Sequence, residues 1–450
     1  MKNNLFYLII SLISLHALIS CQQNLDADLL IRNVQIIDVL NGSVLNNQDL
    51  LIKSGQILLI QQHGKNNFTA STIVDGTNKY LIPGLFDCHV HTTNYQEDFP
   101  RFMHYGITGV FITGGSVCTD AYYEQMRKAG QEDTIYAPRV FHTSQHFTME
   151  GRHPVKTYGG NNWQEGKTVF FLHDTMEIKS LVAKVAQQPI LGIKVTIEDG
   201  PHPPLVERMP LEFIHKVVTE AHANQLEVFA HVSDNIELEM AVEAGVRNLV
   251  HFTGVDIDFR KDTAILSKIY AGHFDWVTTL MLDKSFLYPN NPEWIEPVKA
   301  SNIYSQEMID KMNDPGYLFR AEDYISFMKE YLKLDTISLR DVIEFQVHDI
   351  MELASHGVNF VLGTDTGNDF IFPGYSLHEE MQLLEMGGMS PVDILKMATI
   401  NAAVMMHADD HLGSISVGKT ADMILLSKNP LEQIENTLSI ERVFKGGNSF

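Results

Sequence analysis

Cysteine is scarce, with 3 in 450 residues. That excludes a disulfide scaffold and a zinc cluster built on thiolates. Basic residues are also few: 33 Lys+Arg stand against 56 Asp+Glu, a formal net charge of -23, and no Lys/Arg-rich run occurs. So acidic a chain repels phosphate backbones, which argues against nucleic acid as a partner. Past residue 20 no segment holds about 18 unbroken apolar residues, so none is predicted to span a membrane. What remains is an ordinary globular composition, 44% hydrophobic and 20% charged, long enough for one large domain and a small one. Histidine, at 20, is plentiful, so a transition-metal site would be built from imidazoles and carboxylates.

The first residues read as an address. Met1-Lys2 is followed by an almost wholly apolar stretch from Leu5 to Ser20, too short to span a bilayer and fitting a secretory leader. Leu18-Ile19-Ser20-Cys21 resembles the bacterial lipoprotein signal, in which the cysteine is lipidated and becomes the mature N-terminus. The alternative is a plain leader cut nearby, with Cys21 incidental. Residues 1–21 are thus expected to send the chain to the bacterial envelope, periplasmic or held to the membrane by the lipid anchor alone. Cys88 and Cys118 are expected to be buried thiols without a bridge.

Short alternating strands fill the head, between turn dipeptides Asn41-Gly42, Ser54-Gly55 and Asp75-Gly76. The tail repeats this style at Gly413–Ile415, Ala421–Leu426 and Ile440–Phe444. Residues 25–82 and 413–450 are predicted to pair into one small β-sandwich domain. Between them, 83–412 alternates strand and helix. Candidate strands are Leu85–His91, Ile107–Thr113, Arg139–Thr143, Leu191–Thr196, Glu227–His231, Asn248–His251, Trp276–Leu282 and Asn359–Thr364. One helix is predicted from Leu211 to Asn224; another runs from Asn235 to Ala244, with Ile236, Met240 and Ala244 inward. Ser390, Pro391 and Asp393 mark a helix start. The expected α/β class is a (β/α)8 TIM barrel, with a doubly wound sheet as runner-up. A helical insertion at about 283–341 is either a lid or decoration.

A barrel gathers its chemistry at the C-terminal ends of its strands. Those ends carry His89-Val90-His91, Lys194, His231, His251 and Gly363-Thr364-Asp365-Thr366-Gly367. His-x-His on a strand puts both rings on one face, which suits one metal ion. Each residue alone has a plain structural explanation. Their placement at the ends of separate strands, in barrel order, is what points to a site.

These residues carry a family resemblance. Leu81-Ile-Pro-Gly-Leu-Phe-Asp-Cys-His-Val-His91 resembles the opening signature of the amidohydrolase superfamily. Gly192–Val195, Phe229–Val232, Asn248–Phe252 and Gly363–Gly367 look like its later metal-bearing strands. Gly413–Leu426 with Asn429-Pro-Leu431 is similar to its closing strand return. The branch resembled is that of imidazolonepropionase and Xaa-Pro dipeptidase, which shares the strand-four lysine and Leu377-His378-Glu379. The resemblance implies two divalent metal ions, zinc suiting the donors best. His89, His91 and Asp365 would hold one, and His231 and His251 the other. Lys194, carbamylated by carbon dioxide to N6-carboxylysine, would bridge them. It further implies a metal-bridged hydroxide attacking a carbonyl carbon, with Asp365 as general base and then general acid. His142, His153, His378 and Glu379 are candidate substrate contacts. Arg152, Tyr158 and His202 fall in rim loops with no role assigned.

The expected function is hydrolysis of a carbon–nitrogen bond in a small amide, peptide or cyclic amide. Alternatives are a lactone or phosphotriester hydrolase, a one-metal deaminase, and a non-enzymatic ligand-binding lipoprotein.

Overall fold

The computed structural model describes residues 26–131, 136–159, 162–200, 205–252 and 263–449. The leader and Cys21 lie outside the described residues. The head forms β1 (Asp26–Asp38), β2 (Ser43–Lys53), β3 (Gln56–Gln62), β4 (Thr69–Asp75) and β5 (Tyr80–Pro83). Then come β6 (Leu85–Val90), β7 (Ile107–Ile112), β8 (Arg139–His142), β9 (His146–Thr148) and β10 (Val169–Phe171). The later interior strands are β11 (Gly192–Thr196), β12 (Glu227–His231), β13 (Asn248–Val250), β14 (Asp275–Val277) and β15 (Asn359–Val361). The tail supplies β16 (Met423–Leu426), β17 (Ile440–Lys445) and β18 (Asn448–Ser449).

Head and tail share one eight-stranded sheet in the order β18-β17-β16-β5-β1-β2-β3, with β4 also on β1. Tail meets head where β16 runs antiparallel to β5, Ile424 opposite Ile82. One face buries Leu29, Ile31, Val34, Ile36, Leu425 and Phe444 in a common core. The strands are hydrogen-bonded into one continuous sheet, and Gly413–Ile415 forms no strand in it.

The middle of the chain is α/β. The order β10-β9-β11-β12-β13-β14-β15 makes one parallel sheet and β6-β7-β8 another. Most residues of these strands are buried on both faces, as in parallel strands covered by helices. Backbone hydrogen bonds join the three-stranded sheet to its neighbour at both edges. On one side Cys88 N donates to Leu362 O (2.8 Å) and His91 N to Thr366 O (2.7 Å). On the other, Leu191 N donates to His142 O (3.0 Å) and Ser144 N to Gly192 O (2.8 Å). The tail is pinned to this body by Arg139, whose guanidinium donates twice to Asp422 (2.6 and 3.0 Å).

Two element readings are corrected. The seventh strand stops at Val277 rather than Leu282. Thr279 takes a left-handed φ of 64°, and Glu380 collects the backbone N–H groups of Leu280 and Met281, which start the helix Met281–Leu287. The helix Asn235–Ala244 buries Leu238, Ala241 and Val242, while Ile236 is exposed. Two short strands, β9 and β10, follow β8 and are additional to the eight candidate strands. Ser390, by contrast, caps Pro391–Met397, accepting from Asp393 N (3.3 Å). Cys88 and Cys118 are buried free thiols. No helix of the described residues is long and apolar enough to cross a membrane.

Between β14 and β15 the insertion is helical, with Glu296–Ser301, Gln306–Asp310 and Pro315–Leu332 its main segments. Ser305, Glu307, Met308 and Lys311 line a cavity of about 280 Å³ that shares His91 and Gly367 with the candidate site.

His378 and Glu379 are structural props rather than substrate contacts. The helix Tyr375–Met386 is buried along its first two turns. His378 bonds Tyr105 O (2.9 Å), just before β7, and Thr437 Oγ1 (2.8 Å) in the C-terminal segment. Glu379 accepts from Tyr288, Lys284 and Ser376. Burial lowers His378 from 6.5 to about 4, with the bond to Tyr105 opposing. The unfolded chain therefore takes up this proton first as pH falls, and folded stability is lost between about 6.5 and about 4. The shift corresponds to ~3 kcal/mol. In urea unfolding of the metal-free protein, His378→Gln should flatten the acid slope across that window. An unchanged slope would show that His378 does not set it.

Candidate metal centre

β6 places His89 and His91 on one face by alternation, their Nε2 atoms 3.0 Å apart. Asp365, just past β15, sets Oδ1 at 3.4 Å from His89 Nε2 and 3.3 Å from His91 Nε2. Its Oδ2 lies 3.9 Å from His251 Nδ1. Donor atoms of His89, His251 and Asp365 all fall within 4.8 Å of one another. The rings of His231 and His251 are 3.9 Å apart at their centroids. Lys194, 1% exposed, reaches the same cavity of about 350 Å³, which His91, His231, His251 and Asp365 also line. The six strand-end residues singled out from the sequence thus converge.

The backbone is bent to achieve this. His251 and Asp365 hold φ of 72° and 64°, a region costly for non-glycine residues. Gly363 and Gly367 flank Asp365 because nothing larger fits. A Cβ at Gly363 would sit 2.8 Å from His89 Cβ, and one at Gly367 2.3 Å from His91 O. Asp87 locks the two segments together, accepting from His89 N (3.3 Å), Thr364 N (3.0 Å) and Thr364 Oγ1 (2.6 Å).

Electrostatics favour metal-binding protonation states. Burial pushes His89 and His251 well below the usual histidine range and His91 down to about 4, so the rings are neutral donors. His91 Nδ1 donates to Gly114 O (2.9 Å), and His251 Nδ1 pairs with Thr279 Oγ1 (2.9 Å), which orients each ring. Burial lowers Lys194 to about 8, against the pull of Asp365 and Glu198. It raises Asp365 to about 7, with Lys194 opposing.

Buried polar atoms are almost always hydrogen-bonded. Here Lys194 Nζ, His251 Nε2 and Asp365 Oδ1 are buried without a hydrogen-bond partner. Neutral imidazoles and carboxylates with free lone pairs around one cavity are the donor set of a divalent cation of the zinc class. The residues fit such a group.

Of the candidate substrate contacts, His153 lines the cavity and lies against Glu198, its Nδ1 held by Thr157 Oγ1 (2.5 Å). His142 does not reach it. It stacks on Tyr123 at 4.0 Å, and Arg127 donates to its Nε2 (2.5 Å). The pocket imidazole from this region is His146, which opens β9 and bonds Thr196 Oγ1 (2.9 Å). Tyr158 and Trp163 also line the cavity, whereas Arg152 pairs with Glu207 and His202 lies outside the described residues. Glu198, 2% exposed, was not anticipated. The one available signal was alternation, which puts Lys194, Thr196 and Glu198 on a single face.

The amidohydrolase family model matches residues 80–449. Ochratoxinase of Aspergillus niger is 25% identical, over 91% of this chain and 84% of its own length. Imidazolonepropionase of Caldanaerobacter subterraneus subsp. tengcongensis is 23% identical, over 93% and 95%. The solved structure of a Xaa-Pro dipeptidase with methionine bound in its active site superposes with a TM-score of 0.69 at 19% identity, covering 94% of this chain and 99% of that one. The structural likeness is one of fold. The family match takes in every one of the converging residues, and the chain belongs to the amidohydrolase family.

Proposed function

We propose that this protein is a metal-dependent hydrolase of carbon–nitrogen bonds, acting on a small amide, peptide or cyclic amide. The observation that carries the proposal is the meeting of His89, His91, Lys194, His231, His251 and Asp365 around one cavity, with Lys194 Nζ, His251 Nε2 and Asp365 Oδ1 unengaged. Relatives named ochratoxinase, imidazolonepropionase and Xaa-Pro dipeptidase support the bond type.

We infer that β6, β7, β8, β11, β12, β13, β14 and β15 close into a (β/α)8 barrel. The hydrogen bonds at both edges of the three-stranded sheet support closure. On this reading His89, His91 and Asp365 would hold one divalent cation, zinc by donor type, and His231 and His251 would hold a second. Lys194, as a carbamate, would supply oxygen donors to both. Its amine nitrogen bonds the carbon of carbon dioxide and releases a proton, a reaction that needs the neutral amine and so suits a buried lysine lowered to about 8. Bound, the cations would supply Lewis acidity and an activated water. Asp365 takes the proton of the attacking water at Oδ1 and delivers it to the leaving nitrogen. The apolar core below the cavity, with Phe229 and Val250 in one cluster, keeps bulk water out from beneath.

The Leu18–Cys21 segment extends the proposal to a lipid-anchored envelope enzyme. Labelling by a fatty-acid analogue should be lost in Cys21→Ser. The test of the reaction is a screen of zinc-loaded protein against N-acyl amino acids, Xaa-Pro dipeptides and lactones. Cleavage of an amide or peptide is expected. Turnover of lactones with every amide inert would overturn the assignment.

A further inference from the structure

Glu198 is buried behind His153 and His231, two residues that line the cavity, yet it has no task in the two-cation site. It lies two residues beyond the end of β11. One carboxylate oxygen lies against His231 Nε2 and the other against His153 Nε2. Among the described residues these imidazoles are its ion-pair partners, and no lysine or arginine pairs with it. A fully buried carboxylate without a cationic partner is costly. With His231, which it touches, and His251, whose ring lies 3.9 Å from that of His231 at the centroids, Glu198 offers a His2Glu donor set, which suits a zinc-class cation with a position left open.

We propose that Glu198 is itself a cation ligand, completing with His231 and His251 the second of the two positions, while His153 holds its other oxygen in place. The inference rests on the two-cation reading. It adds a carboxylate to a position otherwise made of imidazoles and the modified lysine. The contact between Glu198 and His231 brings the carboxylate within reach of the cation that His231 would hold. His153 is fixed from behind by Thr157, so it acts as a positioning residue for Glu198.

The test is zinc affinity, read without any substrate. Wild-type and E198Q proteins are stripped, reloaded with zinc in competition with a chromophoric chelator, and assayed for metal content after gel filtration. Wild type should retain two equivalents. E198Q should retain one, its second binding step weakened by about 10–100-fold. Two equivalents in E198Q with unchanged affinity would overturn the role of Glu198 and leave the two-cation reading standing. No retained metal in wild type would overturn that reading itself. Should E198Q fail to fold, cobalt-loaded E198D, which keeps the charge but shortens the reach, gives the answer. Its visible absorption should differ from that of cobalt-loaded wild type, and an identical spectrum would overturn the proposal.

Discussion

Asp365→Asn should lower kcat/KM for the amide substrate by about 10³–10⁴-fold while leaving the fold intact. Backbone contacts, which asparagine keeps, hold the residue in place: Asp365 N donates to His89 O (2.9 Å) and its carbonyl accepts from Asn368 (3.1 Å). Asparagine also tolerates the left-handed φ of 64° better than most residues. Oδ1, the atom closest to both His89 and His91, makes no hydrogen bond that asparagine would break. What is lost is the anionic donor and the proton acceptor. Steady-state kinetics alongside thermal unfolding of the metal-free protein check this. Near-normal turnover would remove Asp365 from the chemistry, and collapse of the fold would make it structural.

Lys194→Met should move activity and stability in opposite directions. The side chain is 1% exposed and its Nζ has no hydrogen-bond partner, so the folded metal-free protein bears the cost of burying an amine. Methionine fills similar volume without that cost. The metal-free variant should gain about 1–4 kcal/mol, the range seen when buried charges give way to apolar side chains. Activity should fall by about 10³-fold or more, because methionine cannot become a carbamate. Under ¹³C-labelled carbon dioxide, metal-loaded wild type should show an enriched carbamate carbon by NMR that Lys194→Met lacks. A variant both less stable and fully active would mean that Lys194 is a packing residue.

The parts of the site legible in the sequence are those fixed by strand geometry. His89 and His91 share a face by period-two alternation, Lys194 lies within β11, and His231, His251 and Asp365 lie at or past the end of a β-run. Ser390-Pro391-Asp393 was readable because a helix cap is local chemistry. The failures come from chain breaks and tertiary burial. β8 ends at His142 and β9 restarts at His146, so the imidazole that faces the cavity is four residues later than expected. Glu198 lies beyond its strand, where a loop decides its direction. His378 and Glu379 sit on a helix buried all round, where polar residues serve as internal hydrogen-bond anchors, which no periodicity reveals. Ile236 misled because its helix packs through Leu238, Ala241 and Val242 instead.

Anomalous diffraction at the zinc edge from crystals of the zinc-loaded protein tests the two-cation centre most directly. The account predicts two peaks about 3.5–4 Å apart. One should lie among His89, His91 and Asp365, and the other beside His231 and His251, with density on Lys194 Nζ reaching toward both. A single peak, or none at these six side chains, would contradict it.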